Sequence, residues 1–207
     1  MSYRTDLALR ITKRLLTPSC LETTVRDGVF ALGSPQSGKS AFLRDDLEPA
    51  LKKAGARVVR VELKESMTGT AARDAVLAGL TAEFCDVFGE VSRVGQADGD
   101  SIAYWMLKAV SKTQSDWVLI LDEFSPLVRS RTGENLLCAL KAARDAVNLR
   151  YDNPNATYFL VIGVTSDERA IRKAVDDRLQ AFYGADRVDF IGVSREYLQE
   201  DNRSTHL

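Results

Sequence analysis

Gly33-Ser34-Pro35-Gln36-Ser37-Gly38-Lys39-Ser40 fits G-x-x-x-x-G-K-[S/T], the pattern of a loop that cradles phosphate. The chemistry accounts for the spelling. Gly33 and Gly38 let the backbone curl tightly, so that successive N–H groups converge on phosphate oxygens. Lys39 is placed to bring a point charge to β- and γ-phosphates, and the Ser40 hydroxyl to ligate Mg²⁺. A helix beginning at this point, with Ala41 in its first turn, aims its positive dipole end at the same anion.

The flanks supply the context that the pattern requires. Gly28-Val29-Phe30-Ala31-Leu32 is a short apolar run of buried-strand type. Ala41-Phe42-Leu43-Arg44-Asp45-Asp46-Leu47 places its apolar residues at helical spacing. Strand, glycine loop and helix in that order predict a bound nucleoside triphosphate, held by residues 33 to 41.

A second run, Trp117-Val118-Leu119-Ile120-Leu121, is the most apolar of the chain and delivers Asp122 and Glu123 at its carboxyl end. It looks like a Walker B segment. Asp122 then supports Mg²⁺ beside Ser40, and Glu123, one residue on and pointing differently, polarises the water that attacks the γ-phosphate. A further apolar run, 158–164, ends in Thr165-Ser166. A hydroxyl there reads equally as a contact to the γ-phosphate and as a cap for the helix starting at Asp167. Arg178, just before the last predicted strand, is the first candidate for a guanidinium that stabilises the transferring phosphoryl group. Arg172, Arg169, Arg131 and Arg129 compete with it.

The chain has 207 residues, 45% hydrophobic and 28% charged, with a net charge of −1. That is enough for one α/β domain, and it gives no global pull toward nucleic acid or anionic membrane. No stretch approaches the roughly 20 apolar residues of a membrane span, and no secretory pattern opens the sequence. Cys20, Cys85 and Cys138 form no C-x-x-C pair, and the one histidine is His206. Reduced thiols and a cytoplasmic location are expected, and histidine-based catalysis is not.

Five predicted strands (28–32, 57–63, 117–121, 158–164 and 187–193) alternate with helices over 41–54, 70–88, 101–111, 134–150 and 167–182, after a first helix at 6–16. Loops are expected at 91–100 and 151–155. This alternation predicts a three-layer α-β-α sandwich around a mostly parallel five-stranded sheet, a P-loop NTPase in a single domain. Within it, 1–22 is a lead-in with the first helix, 23–193 the nucleotide-binding core, and 194–207 a tail.

With these features in place, the chain resembles the AAA+ and STAND-like ATPases that carry an additional catalytic strand. More narrowly, Gly38-Lys39-Ser40-Ala41-Phe42-Leu43-Arg44-Asp45-Asp46-Leu47 with Pro49-Ala50-Leu51, the run 139–148 and Gln180-Ala181-Phe182-Tyr183-Gly184-Ala185 are similar to a group of bacterial ATPases. The resemblance implies an ATPase with ATP and Mg²⁺ as cofactors, ATP being preferred over GTP. Its partner is expected to be another protein or a second copy of the chain. A nucleic-acid partner draws no support from the charge. AAA+ proteins usually follow the fifth strand with a helical lid, whereas 194–207 has room for about one helix. That departure keeps a second reading open, a conformational switch with slow or no hydrolysis. A small-molecule kinase is the weaker third, since no segment announces an acceptor site.

Overall fold

The two most apolar runs become the two central strands, and their composition shows why. Every residue of β3 (Trp117–Asp122) and β4 (Phe159–Thr165) is buried, as a strand covered by helices on both faces requires. β2 (Arg57–Glu62) carries arginines and a glutamate at partly exposed positions and forms one edge of the sheet. With β1 (Val29–Leu32) and β5 (Asp186–Asp189) the order is β2-β3-β4-β1-β5, parallel at every pairing. β4 therefore stands between the strand that leads into the glycine loop and the strand that ends in Asp122. The structure, a computed structural model, describes residues 3–17, 28–89, 99–149 and 157–189.

Alternation along the strands divides the core into two layers. Trp117, Leu119 and Leu121 of β3, with Phe159 and Val161 of β4, face one side. There they meet α4 (Gly69–Phe88), α5 (Gly99–Thr113), α6 (Ser125–Val128) and α7 (Arg131–Asn148). Val118, Ile120, Leu160, Ile162 and Val164 face the other side. They are covered by α1 (Tyr3–Leu16) and by the helix after the glycine loop. That helix runs through α2 (Lys39–Phe42), one wide π turn at Leu43–Leu47, and α3 (Glu48–Lys53). The period of two on the strands thus places a helical layer on each face, as expected for the sandwich.

One glycine of β4 shapes the site from behind. A Cβ on Gly163 would lie 2.5 Å from the Phe30 ring and 3.0 Å from that of Phe124. The two rings, both fully buried, meet edge to face across this gap with centroids 5.2 Å apart. Phe124 directly follows Glu123, so the packing of its ring fixes where the chain leaves β3.

Several boundaries differ from the sequence reading. α7 begins at Arg131 rather than 134, because the Ser130 hydroxyl accepts from the Gly133 amide at 3.1 Å and caps it. The short α6 between Glu123 and α7 was not anticipated. Residues 177–182, expected to be helical with Asp176, are not. α8 (Glu168–Ile171) passes into a π turn at Arg172–Asp176, and the chain then leaves the helix at Asp177. The Asp177 carboxylate accepts from the Leu179 amide at 3.0 Å and its carbonyl from the Gln180 amide at 3.0 Å. Those local bonds compete with helix continuation. Gly184, at φ 79°, closes the turn. The loop read at 91–100 ends early, since α5 already takes in Gly99 and Asp100. Its residues 91–98, the turn at 151–155, the end of the fifth strand beyond 189, the tail 194–207, Cys20 and His206 lie outside the described residues. Among the described residues, no helix is long and apolar enough to cross a membrane.

Candidate nucleotide site

The glycine loop joins β1 to α2 at the carboxyl edge of the sheet, where parallel α/β sheets place their ligands. Gly38 sits in the left-handed region at φ 78°, and a Cβ there would meet nothing within 4 Å. The residue is thus required for its backbone angle rather than for space. Gln36 takes φ 61° in the same loop, and the Ser37 amide donates to Ser34 O at 3.2 Å. The Ser37 hydroxyl is buried with no partner among the described residues, an unsatisfied polar atom in the wall of the cradle.

Lys39 is 8% exposed, and its Nζ donates to Gly33 O at 2.8 Å and to Ser34 O at 2.7 Å. The side chain has folded back along its own loop and uses two of its three N–H donors there. Burial lowers the Lys39 pKa, while the negative charges of Glu123 and Asp122 pull it part of the way back. An anion entering the loop adds to that pull and favours the ammonium.

Asp122 leaves β3 one strand away from β1, with the end of β4 between them. Burial raises its carboxyl above the ordinary range, and a hydrogen bond from the Ser40 hydroxyl opposes the rise. Its Oδ2 is buried and has no partner among the described residues. A hydroxyl and a half-satisfied carboxylate side by side are hard oxygen donors of the kind Mg²⁺ takes when phosphates and waters complete its shell. The residues present therefore fit that ion.

Glu123 is turned into the left-handed region at φ 61°, where a non-glycine residue is uncommon. This rotation carries its carboxylate onto the end of β4. Oε1 accepts from the Thr165 hydroxyl and from the Ser125 hydroxyl at 2.8 Å. Oε2 accepts from the Ser166 amide at 3.2 Å and the Ser166 hydroxyl at 3.1 Å. The end of β4 is the hub of the edge: Gly33 N donates to Thr165 O at 3.1 Å, and Phe124 N to Val164 O at 3.0 Å. The helix after β4 is capped by Asp167, whose carboxylate accepts from the Arg169 amide at 2.9 Å. Thr165 Oγ1 also accepts from the Asp167 amide at 3.0 Å. The helix cap is thus Asp167 itself, not Thr165 or Ser166, and the two hydroxyls are engaged on Glu123.

A cavity of about 690 Å³ opens beside the loop, bounded by Pro35, Ser166, Glu65, Arg129, Asp167 and Arg169 among others. Arg129 spans it, paired with Asp167 at 2.7 Å and Glu65 at 3.1 Å. Arg172 is tied to Glu168 at 2.6 Å. Arg178 lies elsewhere, exposed in the turn before β5 and with no ion pair among the described residues. The structure therefore brings Lys39, Ser40, Asp122, Glu123, Thr165 and Ser166 to one edge and leaves Arg178 off this cavity. Sequence reading missed Ser125 and the Arg129–Asp167–Glu65 bridge. The bridge joins loops distant in sequence and carries no local signal, whereas Ser125 lies two residues past Glu123 and reads as ordinary helix-start chemistry.

No protein-family model and no curated protein matches the chain. Solved structures of similar fold do exist. The Aeropyrum pernix ORC2 protein in its ADPNP–ADP complexes matches with a TM-score of 0.60 at 16% identity, over 91% of this chain and 48% of that one. Its ADP form matches at 0.59 and 16%, over 97% and 51%. The Aeropyrum pernix ORC1 protein in complex with DNA matches at 0.57 and 16%, over 99% and 50%. The chain spans about half the length of these proteins. What it shares with them is a fold, in this chain a P-loop NTPase sandwich with one strand between the glycine-loop strand and the strand that ends in Asp-Glu.

Proposed function

We propose that this chain is a Mg²⁺-dependent ATP-binding and hydrolysing module that couples its nucleotide state to an interaction with a macromolecular partner. The observation that carries the reading is the pairing, at one edge, of a lysine folded over its own loop with a buried aspartate whose second oxygen has no partner. Phosphate completes the first, and a cation completes the second. Gly33, Ser34, Pro35, Gln36, Ser37, Gly38 and Ala41 line the cradle, and Lys39 leaves its carbonyl partners for the β- and γ-phosphates. Ser40 and Asp122 hold Mg²⁺, which supplies charge neutralisation at the phosphates when bound. Glu123 takes a proton from water as the water oxygen bonds to the γ-phosphorus. The bond from that phosphorus to the bridging oxygen breaks, and ADP leaves with the electron pair.

A specific observation favours the second reading, a slow or non-hydrolysing switch. All four donors on Glu123 come from the protein, so the carboxylate has no position open for water. The γ-phosphate, itself a strong acceptor, competes for the Thr165 and Ser166 hydroxyls and loosens Glu123. How far that exchange proceeds separates a turning-over enzyme from a switch.

The partner is read as a protein or a second copy, with the exposed Arg178 offered in trans. One solved structure of this fold holds DNA, which makes duplex DNA a partner to test even though the net charge does not call for it. The deciding experiment is phosphate release from ATP and Mg²⁺ over a wide range of protein concentration. Specific activity rising with concentration supports assembly with a trans arginine. Absence of release at all concentrations, with nucleotide bound, moves the assignment to the switch.

A further inference from the structure

Ser125 is fully buried, and its hydroxyl is spent on Glu123 Oε1 rather than on the helix it opens. A serine at a helix start commonly accepts from amides one turn on. Here Phe124 occupies the cap position without a side-chain bond, and Pro126 follows Ser125. The hydroxyl is held in place by backbone on both sides. Phe124 N is bonded to Val164 O at 3.0 Å, and Ser125 O accepts from Arg129 N at 3.2 Å.

The donors on Glu123 differ in what can reach them. Ser166 lies on the wall of the 690 Å³ cavity that Pro35 of the glycine loop also lines. Thr165 is bonded through its carbonyl to Gly33, the first residue of that loop. A triphosphate seated in the loop is therefore in a position to draw on the β4 hydroxyls. Ser125, at the start of α6, is fully buried, does not line that cavity, and has no bond to the glycine loop among the described residues.

We propose that Ser125 is a positioning residue for hydrolysis: its buried hydroxyl keeps hold of Glu123 Oε1 and aims the carboxylate at the attacking water after the β4 hydroxyls turn to the γ-phosphate. Together with the left-handed backbone of Glu123, this bond leaves the carboxylate a single pivot. The role rests on the ATPase reading above, and it adds a residue to that reading without changing its substrate.

The test compares wild type, Ser125→Ala, Ser125→Cys, Glu123→Gln and the Ser125→Ala/Glu123→Gln pair. Single-turnover ATP cleavage gives the rate and a fluorescent nucleotide gives the affinity, both with Mg²⁺ present. Ser125→Ala should lower the rate constant at least about tenfold, as expected for a misaimed catalytic group, with nucleotide affinity changed less than about twofold. Ser125→Cys keeps the shape of the side chain with a somewhat larger atom, weakens the donor, and should follow Ser125→Ala, so the result does not depend on how the alanine variant folds. In the Glu123→Gln background the alanine should add no further loss, since its effect passes through that carboxylate. Wild-type rates in both Ser125 variants, or an equal further loss on top of Glu123→Gln, would overturn the assignment while leaving the ATPase reading in place. A wild-type protein without cleavage would overturn both.

Discussion

Two aspartates at opposite ends of β3 share one electrostatic condition and meet it differently. Asp116 precedes the strand and Asp122 ends it, and burial raises both carboxyls above their ordinary range. At the amino edge Asp116 accepts from the Tyr158 amide at 2.7 Å, and Trp117 N donates to Tyr158 O at 2.8 Å, so the start of β3 is laced to β4 by the protein alone. At the carboxyl edge Asp122 keeps a bare buried oxygen, Ser37 keeps a bare hydroxyl, and Gln36 and Glu123 both stand at positive φ. Buried polar groups are nearly always satisfied, and non-glycine residues avoid that backbone region. Gln114, at φ 50° before β3, and Asp186 Oδ2, at the start of β5, are like cases on the amino edge, but there Asp186 pairs with Arg14 at 3.0 Å. The bare oxygens of Asp122 and Ser37 stand at the glycine loop instead, and mark where a ligand completes the molecule.

The first way to break that contrast is through the chemistry at the carboxyl edge. Glu123→Gln keeps the size of the side chain and its acceptor oxygen and removes the base. Turnover should fall by about 10²–10⁴-fold with nucleotide affinity retained, as read by phosphate release beside a binding titration. Unchanged turnover would take Glu123 out of the reaction. Lys39→Ala comes next. Losing the one cation that the loop directs at phosphate should cost about 2–5 kcal/mol of nucleotide affinity, measured by fluorescent-nucleotide anisotropy. Retained affinity would remove the loop as the phosphate cradle.

Asp116 and Asp122 should also part company in stability. Asp116→Ala leaves the Tyr158 amide without its carboxylate partner, and about 1–3 kcal/mol should be lost with nucleotide binding intact. Asp122→Asn removes a buried charge that lacks a full complement of partners and keeps an acceptor for Ser40. The nucleotide-free fold should lose less than about 1 kcal/mol or gain slightly, while Mg²⁺-dependent affinity drops. Thermal unfolding of both variants, with and without Mg²⁺ and nucleotide, separates the two. Equal destabilisation would mean that the two ends of β3 are structurally alike.

Much of this was legible in the sequence because it is local or periodic. The glycine loop is fixed by residues within one turn of each other, and the central strands announce themselves as unbroken apolar runs. Asp122 and Glu123 follow from where the strongest of those runs ends. The rest depends on distant parts of the chain meeting. The four-donor clamp on Glu123 requires β4 to lie beside β3, and the Arg129 bridge joins three loops. Gly163 reads as a weak point in a strand until the Phe30 and Phe124 rings are seen to occupy its place. The helix expected over 176–182 failed from Asp177 onward for the opposite reason. A local side-chain bond at Asp177 overrode a pattern that periodicity favoured.

The smallest effect is the most diagnostic of the two edges, and its sign can be worked out. The Asp122 carboxyl is raised from 3.8 in the fold, so above that value the ionised group is a penalty on the nucleotide-free protein. The penalty fades as pH falls through the raised pKa, and this group then favours the empty fold toward acid. Mg²⁺ needs the carboxylate ionised, so its apparent affinity moves the other way and weakens over the same window. Asp145 and Asp167 are held below 3.8 by their cationic partners, working against the cost of burial. Their contributions are lost only at lower pH, and the raised Asp116, which titrates above 3.8 as well, is common to wild type and the Asp122→Asn variant and cancels between them. Bound nucleotide titrates its own phosphates, and Asp122→Asn supplies the correction. Subtracting that variant's pH profile of Mg²⁺ affinity from the wild-type profile should leave a downward step toward acid, with its midpoint above 3.8. A flat difference would mean that the bare oxygen of Asp122 faces no cation, and the carboxyl edge would then differ from the amino edge in geometry alone.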